Sequence, residues 1–456
     1  MVGAGGVELA TWIHLPGATG SFDTLFVRTP CRATRYAEVA GSWTRRGYAF
    51  VGQDVRGRHG SGGTWECYRG EDHDGAAALA WIRSQRWSNG RVHVVGESYA
   101  GFAALAASTG AAHAQSATVV GPTLGLGRTA LDRGGGFRLL DTLTWHLGIG
   151  CGRRGNAAFA PRMVESALRA MPEATLADLI ALLPAIEPIM ARILVGEEDR
   201  LPLERVATRT LCIGGFQDPM VENAIEVFRR LAPHVPRRLV LGPWTHELGA
   251  ERALDPSGAR AALRHLASIE QDWIETKRCD SRPAVTVFID GVHEPLTAYG
   301  CPFPGTGELA LRLDRSASGS EPILFRSEPL ARDEVVVGHP RFQAELVAAD
   351  PGTMVFVKLW AELDGNRLLL CEGMSTVPTV ARPQRFEMAL RPAGVLLRKG
   401  LRLALTVACE DFPRYAARPV SALSDRIAFR PGEPRPVARL AHAVRLALPV
   451  LRPAGP

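Results

Sequence analysis

Short apolar runs alternate with amphipathic stretches in the first part of the chain. The runs lie at residues 24–28 (TLFVR), 48–53 (YAFVGQ), 91–95 (RVHVV), 117–120, 210–214 (TLCIG) and 238–241. Apolar residues at helical spacing lie between them, as at 76–85 and 221–231. Short apolar strands that alternate with helices are typical of a parallel sheet buried on both faces. The pattern therefore predicts an α/β core.

Two later parts of the chain depart from this alternation. From about residue 125 to 204 the patterns are helical, without a good strand, and predict a helical insertion. After about residue 301 the segments are short, often β-branched and separated by Gly, Pro and Asp, which predicts an all-β sandwich or jelly roll. The stretch from Pro431, rich in Pro and Arg, predicts an irregular cover. The predicted domains are a core at 1–124 and 207–300, a helical cap at 125–206 and a jelly roll at 301–456.

Composition narrows the class of protein. Hydrophobic residues make up 46% and charged residues 22%, which is typical of a globular chain. The net charge of +6 is spread without a like-charge run, so we expect neither a nucleic-acid partner nor a membrane surface. The first residues do not form a signal peptide, and no apolar stretch reaches transmembrane length, so we expect a soluble cytoplasmic protein. A homodimer is left open.

Eight cysteines are scattered along the chain without a CxxC pair, and no His pair has zinc-finger spacing. Scattered cysteines in a chain of this length are mostly reduced core residues. We therefore expect no metal site and no cofactor.

The stretch VHVVGESYAG places Ser98 in a G-x-S-x-G turn between a predicted strand and a predicted helix. This context distinguishes a nucleophile elbow from a plain turn that contains a serine. Small residues are needed at Gly96 and Gly101, where side chains would collide with neighbouring elements. The helix dipole favours negative charge near Ser98, and the backbone N–H of Tyr99 is a candidate oxyanion donor.

A serine hydroxyl needs a base that is held by an acid, and on this fold the chain order is Ser, Asp or Glu, His. Asp218 follows the run at 210–214, and His246 follows RLVLGPWT. Both lie at strand ends in the required order, which favours a triad over a turn aspartate and a loop-capping histidine. Glu222, inside a helical pattern, is the reserve acid.

These segments resemble the cocaine esterase / X-Pro dipeptidyl-peptidase group of serine hydrolases (CocE/NonD), which includes the α-amino acid ester hydrolases. The similar stretches are GYAFVGQDVRGRHGSGGTW (47–65), GESYAG (96–101), GGFQDPMVENAIEVF (214–228), GPWTHE (242–247) and EDFPRYAARP (410–419). The resemblance implies an α/β-hydrolase core, a cap after the sixth strand and a C-terminal jelly roll. It also implies acyl transfer through an acyl-serine, with the acid at Asp218 and the base at His246.

One departure from the family concerns the second oxyanion donor. The family carries a tyrosine after R-x-P, where this chain has Cys31 in Arg28-Thr29-Pro30-Cys31. A thiol is a poor hydrogen-bond donor. Three readings are open: another group such as Arg32 or Tyr36 donates, the enzyme is slow or tuned to an activated donor such as a thioester, or catalysis has been lost.

The substrate is expected to be a small-molecule ester, amide or thioester, with water, an amine or an alcohol as acceptor. Candidate pocket residues are Asp132, Trp145, Phe216 and Trp244, with Glu197, Glu198 or Asp199 as further carboxylates for a substrate ammonium. Solvated charges and core packing are the plainer interpretations of these residues. The rival to a hydrolase is a catalytically silent binding protein on the same fold.

Overall fold

Two β-sheets organise the part of the chain that the computed structural model describes. That part comprises residues 1–110, 114–150, 153–154, 161–171, 173–183, 186–196, 201–276, 282–299, 306–316, 322–348, 352–363, 365–378, 380–417, 419, 421–422, 425–427, 438–440 and 443–451. One sheet has nine strands and the other has eleven. The predicted α/β core and all-β domain are therefore confirmed.

The nine-stranded sheet carries the first half of the fold. Its strands are β1 (Thr11–His14), β2 (Phe22–Thr29), β3 (Ala49–Asp54), β4 (Ser88–Glu97), β5 (Ser116–Val120), β6 (Thr210–Gly215), β7 (Arg237–Gly242), β8 (Ala284–Val287) and β9 (Leu296–Tyr299). The order is β1-β3-β2-β4-β5-β6-β7-β8-β9, and β1 and β9 pair antiparallel while the others are parallel. All residues of β3 and β6 are buried, as expected for parallel strands covered on both faces.

Helices from the connections cover this sheet. They are α1 (Ala37–Thr44), α2 (Glu71–Arg83), α3 (Tyr99–Ala107), α9 (Val221–Arg230) and α10 (Pro256–Glu275). Every residue of α3 is buried, which fits its uniformly apolar sequence YAGFAALAA. The central position of α3 fixes the turn that precedes it against the sheet.

Among the residues that the structure describes, five α-helices lie between β5 and β6, where the sequence predicts a helical insertion. They are α4 (Leu126–Ala130), α5 (Leu139–Trp145), α6 (Pro161–Ala170), α7 (Leu176–Leu182) and α8 (Glu187–Leu194). Five strands of the nine-stranded sheet precede these helices in the chain, and the strand that leads into Ser98 is the last but one of them.

The eleven-stranded sheet forms the all-β domain. Its strands are β10 (Thr306–Arg315), β11 (Ile323–Ser327), β12 (Glu334–Gly338), β13 (Arg341–Ala348), β14 (Met354–Leu363), β15 (Asn366–Thr376), β16 (Val380–Ala389), β17 (Ala393–Leu397), β18 (Arg402–Ala408), β19 (Ala438–Leu440) and β20 (Ala443–Leu451). Its core contains the inward side chains of these strands.

The stretch from Pro431 is not an irregular cover throughout, contrary to the sequence prediction. β20 pairs with β10 from Ala443 to Leu451 and also contacts β12 and β13. Val444, Leu446, Leu448 and Val450 alternate along β20 and are at most 2% exposed. Burial of this apolar face outweighs the Pro and Arg content that suggested irregular structure.

The two sheets are joined by direct contacts. Asp290, after β8, exchanges backbone hydrogen bonds with β17: its N–H donates to Gly394 at 3.0 Å and its carbonyl accepts from Leu396 at 2.9 Å. In the loop between α4 and α5, Gly134 accepts a hydrogen bond from the Thr376 N–H at 3.1 Å. A Cβ at Gly134 would overlap Met374, so the loop lies tightly against β15.

Candidate active site

The turn after β4 holds Ser98 in a strained conformation. Its φ of 57° and ψ of −119° are rarely adopted by a residue other than glycine. The Ser98 N–H donates to the Val120 carbonyl at 2.9 Å, which ties the turn to β5. A Cβ at Gly96 would overlap the carbonyl group of Ala100, so this position requires glycine. The predicted strand, tight turn and helix around Ser98 are confirmed.

Asp218 and His246 form a hydrogen-bonded pair. His246 Nδ1 lies 2.9 Å from Asp218 Oδ1, and we assign the donated proton to Nδ1 because a carboxylate accepts. Asp218 Oδ1 also accepts from the Met220 N–H at 2.7 Å, which orients the carboxylate. The reserve acid Glu222 instead contacts Arg133 at 3.1 Å and lies on α9. The structure thus joins the histidine to Asp218.

Sheet topology brings these side chains to one edge. β4, β5, β6 and β7 are successive neighbours, and their carboxyl ends are level, with Glu97 opposite Val120 and Gly215 opposite Gly242. Neighbouring strands lie about 4.8 Å apart. Ser98 follows β4, Asp218 follows β6 and His246 follows β7, so three residues distant in sequence all follow strands that end at the same edge of the sheet.

Gly121 belongs to this site and was missed by the sequence analysis. It follows β5 with a φ of 46°. A Cβ there would lie 2.6 Å from Asp218 Oδ2 and 3.0 Å from His246 Nδ1, so the acid–base pair packs directly on its backbone. The available signal was a glycine immediately after the predicted strand at 117–120, at the edge where the site lies.

Carboxylates around His246 favour its protonated form. Burial alone would lower the pKa of His246, but the hydrogen bond and charge of Asp218, with the charges of Glu97 and Glu247, raise it to about 9. The pKa of Glu97 is itself raised by desolvation, against the opposing charges of His246 and Arg35. A positive imidazolium is therefore stabilised at this position.

The Tyr99 side chain ties the turn at Ser98 to buried residues of the core. Its hydroxyl donates to Glu71 Oε1 at 2.8 Å and accepts from the Tyr68 N–H at 3.0 Å. Glu71 is in turn paired with Arg28 at 2.7 Å, and both side chains are at most 3% exposed. The backbone N–H of Tyr99 is the first of α3, and the N–H groups of a first helical turn have no partner within the helix.

Cys31 lies in the turn after β2. Its backbone N–H donates to Thr29 Oγ1 at 3.0 Å. Burial raises the pKa of its thiol, although the positive charges of Arg35 and Arg58 oppose that rise. The thiol is therefore protonated at neutral pH and is a weak donor. Tyr36, one helical turn further, packs near Phe50, and burial raises the pKa of its phenol to about 12.

The aromatic residues predicted to line an acyl pocket lie in different surroundings. Trp145 is half-buried and stacks on Tyr99, with centroids 6.0 Å apart. Phe216 packs on β17, where a Cβ at Gly394 would overlap its ring. Trp244 is 0% exposed and fills the core against Gly215 and Gly242, so it has no surface for a ligand. Trp145 therefore stays a prediction as a pocket residue, and the structure does not support Trp244 in that role.

Asp132 already has cationic partners. Its Oδ2 accepts from Arg138 at 3.0 Å, Arg391 at 3.4 Å and the Tyr415 hydroxyl at 3.1 Å. Burial would raise the pKa of Asp132, but the two guanidinium groups lower it. A carboxylate neutralised in this way is better explained by docking of the loop on the all-β domain than by a substrate ammonium. Glu197, Glu198 and Asp199 lie outside the described residues.

Within the described residues, no helix is both long and apolar enough to cross a membrane. The same part of the chain holds no group of three or more His, Cys, Asp or Glu side chains arranged to bind a metal ion.

Comparison with known proteins adds a family and a fold. Residues 5–247 match the family model described as X-Pro dipeptidyl-peptidase (S15 family). Cocaine esterase from Rhodococcus sp. (strain MB1 Bresler) is 24% identical over 373 residues, which cover 69% of this chain. The chain spans 61% of the length of that relative.

Solved structures resemble the whole chain in fold. An aminopeptidase from the marine sediment archaeon Thaumarchaeota archaeon is 16% identical with a TM-score of 0.75, covering 98% of this chain and 95% of that one. An α-amino acid ester hydrolase is 19% identical with the same TM-score and coverage of 98% and 95%. A CocE/NonD family hydrolase from Staphylococcus aureus is 15% identical with a TM-score of 0.67, covering 98% and 92%.

Proposed function

Because the chain belongs to the X-Pro dipeptidyl-peptidase (S15) family, an esterase and peptidase group, we propose that it is a serine hydrolase. It cleaves an ester or amide bond of a small molecule through an acyl-serine intermediate. The observation that carries the proposal is the 2.9 Å pairing of His246 with Asp218 at the same sheet edge as a strained Ser98. The pairing supplies the base and its orienting acid, and the strained turn supplies the nucleophile.

The first half of the reaction forms the acyl-serine. Ser98 Oγ adds to the carbonyl carbon as its proton passes to His246 Nε2, and the carbonyl oxygen becomes an oxyanion. The oxyanion collapses, the bond to the leaving group breaks, and His246 returns the proton to the departing alcohol or amine. Asp218 keeps Nδ1 as the protonated nitrogen and stabilises the imidazolium that forms transiently.

The second half releases the acid. Water attacks the acyl carbon while His246 takes a proton from it, and collapse returns that proton to Ser98 Oγ. The Tyr99 N–H donates to the oxyanion in both halves, and the N-terminus of α3 adds its dipole at the same place.

The names of the relatives indicate which type of bond the proposed substrate contains. They include a cocaine esterase, an α-amino acid ester hydrolase and an aminopeptidase, so the bonds named among them are both ester and amide. Half-buried Trp145, which stacks on the ring of the residue after Ser98, is the proposed apolar contact for the acyl part of a small molecule. Water is the proposed acceptor.

The test is intact-mass spectrometry after treatment with a fluorophosphonate. We expect one adduct on the wild-type protein and on Ser84→Ala, an exposed serine that is the matched control, and none on Ser98→Ala. The same three proteins are assayed with p-nitrophenyl esters of short acyl chains. An adduct that persists in Ser98→Ala, or an unchanged ester hydrolysis rate in that variant, would rule out the Ser98 mechanism. No adduct on any variant would favour the catalytically silent binding protein.

A second assay identifies the acceptor. The p-nitrophenyl ester is supplied with and without an added primary amine, and the products are separated by mass. Free acid alone supports hydrolysis, whereas an amide formed in proportion to the amine would make acyl transfer the better description.

A further inference from the structure

The turn after β2 lies beside the nucleophile. β2 pairs in parallel with β4, with Thr24 opposite Val92 and Phe26 opposite Val94. If this register continues for four residues beyond Phe26 and Val94, Pro30 lies opposite Ser98. The residues that follow Pro30 are therefore the nearest backbone on the β2 side of the serine.

Buried side chains hold this turn by its carbonyl group. Pro30 O accepts from Arg58 Nε at 3.2 Å and from His59 Nε2 at 2.9 Å. The Arg58 side chain is 0% exposed and also lies over the Trp65 ring, 4.9 Å from its centroid. Burying a guanidinium is costly unless its N–H groups are bonded, so this anchor defines the path of the turn closely.

Two backbone N–H groups of this turn already donate hydrogen bonds within the protein. Cys31 N–H donates to Thr29 Oγ1 at 3.0 Å, and Ala33 N–H donates to Asp54 Oδ1 at 2.7 Å. Arg32 lies between them. Among the residues that the structure describes, none accepts a hydrogen bond from the Arg32 N–H.

Arg32 is also strained. Its φ is 70° and its ψ is 107°, a region that a residue with a Cβ seldom adopts. Such strain costs of order 1–3 kcal/mol and persists only where the surroundings impose it, commonly at active sites. Here the bonds at Pro30, Cys31 and Ala33 impose it, and the result is an unpaired N–H at the level of the nucleophile.

We propose that the backbone N–H of Arg32 is the second oxyanion donor, in place of the side-chain hydroxyl that the family carries at the position of Cys31. The inference rests on the proposed function and names one more group in its site. When Ser98 Oγ adds to the carbonyl carbon, the new oxyanion accepts one hydrogen bond from Tyr99 N–H and one from Arg32 N–H. No proton or other atom is transferred to Arg32.

The two side-chain alternatives are weaker donors for this position. The Cys31 thiol is a poor hydrogen-bond donor even when protonated. The Tyr36 ring packs against the apolar cluster that contains Phe50 and Val27, and its hydroxyl is already hydrogen-bonded to Thr29. A backbone amide needs no side-chain ordering, and an N–H from the loop after this strand is the usual second donor in α/β hydrolases outside this family.

The first experiment is a crystal structure of the protein after reaction with the fluorophosphonate. The phosphonyl oxygen then stands in for the oxyanion, and we expect it within about 2.7–3.1 Å of both Tyr99 N and Arg32 N. An oxygen bonded to Tyr36 Oη or Cys31 Sγ, or to Tyr99 N alone, overturns the inference and leaves the proposed function intact. Failure to form any adduct on Ser98 overturns both.

The second experiment removes the N–H itself. Two proteins are compared: Arg32→Leu, and the same protein with the α-hydroxy analogue of leucine at position 32. They differ only in the bond between residues 31 and 32, which is an amide in the first and an ester without an N–H in the second. Loss of one oxyanion donor lowers kcat by about 10²–10³-fold, and we expect a ratio in that range with little change in KM. Tyr36→Phe tests the alternative. A kcat ratio near one for position 32, or a loss of 10²-fold or more in Tyr36→Phe, overturns the inference.

Discussion

Replacing Gly121 by alanine should disable the acid–base pair without unfolding the protein. The new Cβ would lie 2.6 Å from Asp218 Oδ2, whereas ordinary van der Waals contact begins near 3.4 Å. Asp218 therefore has to retreat by roughly 3.4 − 2.6, or about 0.8 Å. Asp218 is 2% exposed and its Oδ1 is fixed by the Met220 N–H, so the retreat lengthens the bond to His246.

The magnitude follows from geometry and backbone strain. Misplacement of a reacting group by about 1 Å can lower the rate about 10²-fold, and we expect kcat to fall by about that factor. The φ of 46° adds a conformational penalty for alanine of about 1 kcal/mol, which should lower Tm by only about 1 °C in a chain of 456 residues. KM should change little, because substrate contacts are not altered.

The assay compares Gly121→Ala with Gly47→Ala. Gly47 also has a positive φ, of 89°, but a Cβ there would meet nothing within 4 Å, so it reproduces the backbone penalty without the clash. Both variants are measured for Tm and for kcat and KM on a p-nitrophenyl ester. Equal kcat in the two variants at similar Tm would refute the packing argument. A loss of kcat explained wholly by unfolded protein would refute it as well.

Three further outcomes are expected. His246 acts as a base only when neutral, and its pKa is raised to about 9, so kcat/KM should rise with pH through about 9. Glu97→Gln removes one of the charges that raise this pKa and should move the midpoint of the pH profile downward. A midpoint near 6.5 in the wild type would contradict the charge effect. Arg28→Met leaves Glu71 buried without its cation and should lower the free energy of unfolding in urea by about 3–5 kcal/mol; a loss below about 1 kcal/mol would argue that Glu71 does not need the cation. Burial would raise the pKa of Glu372, but the hydrogen bond and charges of its arginine partners lower it to about 2. Its stabilisation is therefore complete above an unfolded pKa of about 4.3 and is lost as pH falls towards 2. Glu372→Gln should lower stability at pH 7 by on the order of 3 kcal/mol and flatten the pH dependence in that range, and an unchanged urea midpoint would contradict this.

The local sequence pattern was sufficient to predict the central strands and the turn at Ser98. The strands predicted at 91–95 and 210–214 are confirmed as parts of β4 and β6, because buried parallel strands are continuous apolar runs. α10 was missed although Asp255 caps it by accepting from the Ser257 and Gly258 N–H groups and Pro256 opens it. This is a start signal that single-sequence reading can use.

Packing between distant segments could not be predicted from local pattern. Gly121 reveals its role only once the backbone after β5 is seen against the Asp218 and His246 side chains. The pairing of Tyr99 with Glu71 joins residues 28 positions apart. Trp244 was proposed for a pocket because it adjoins a motif, but position in the sequence does not tell which side of the sheet edge a side chain occupies.

The contact of Phe216 with β17 has a consequence for protein engineering. Phe216 lies two residues before Asp218, and its ring rests on the backbone of Gly394 in the all-β domain. Excising that domain would expose one side of the segment that carries the acid, and Asp132 would lose its contacts with Arg391 and Tyr415 at the same time. The nine-stranded sheet is therefore unsuited to use as a detachable module, and chimaeras that exchange substrate preference should transfer both sheets together.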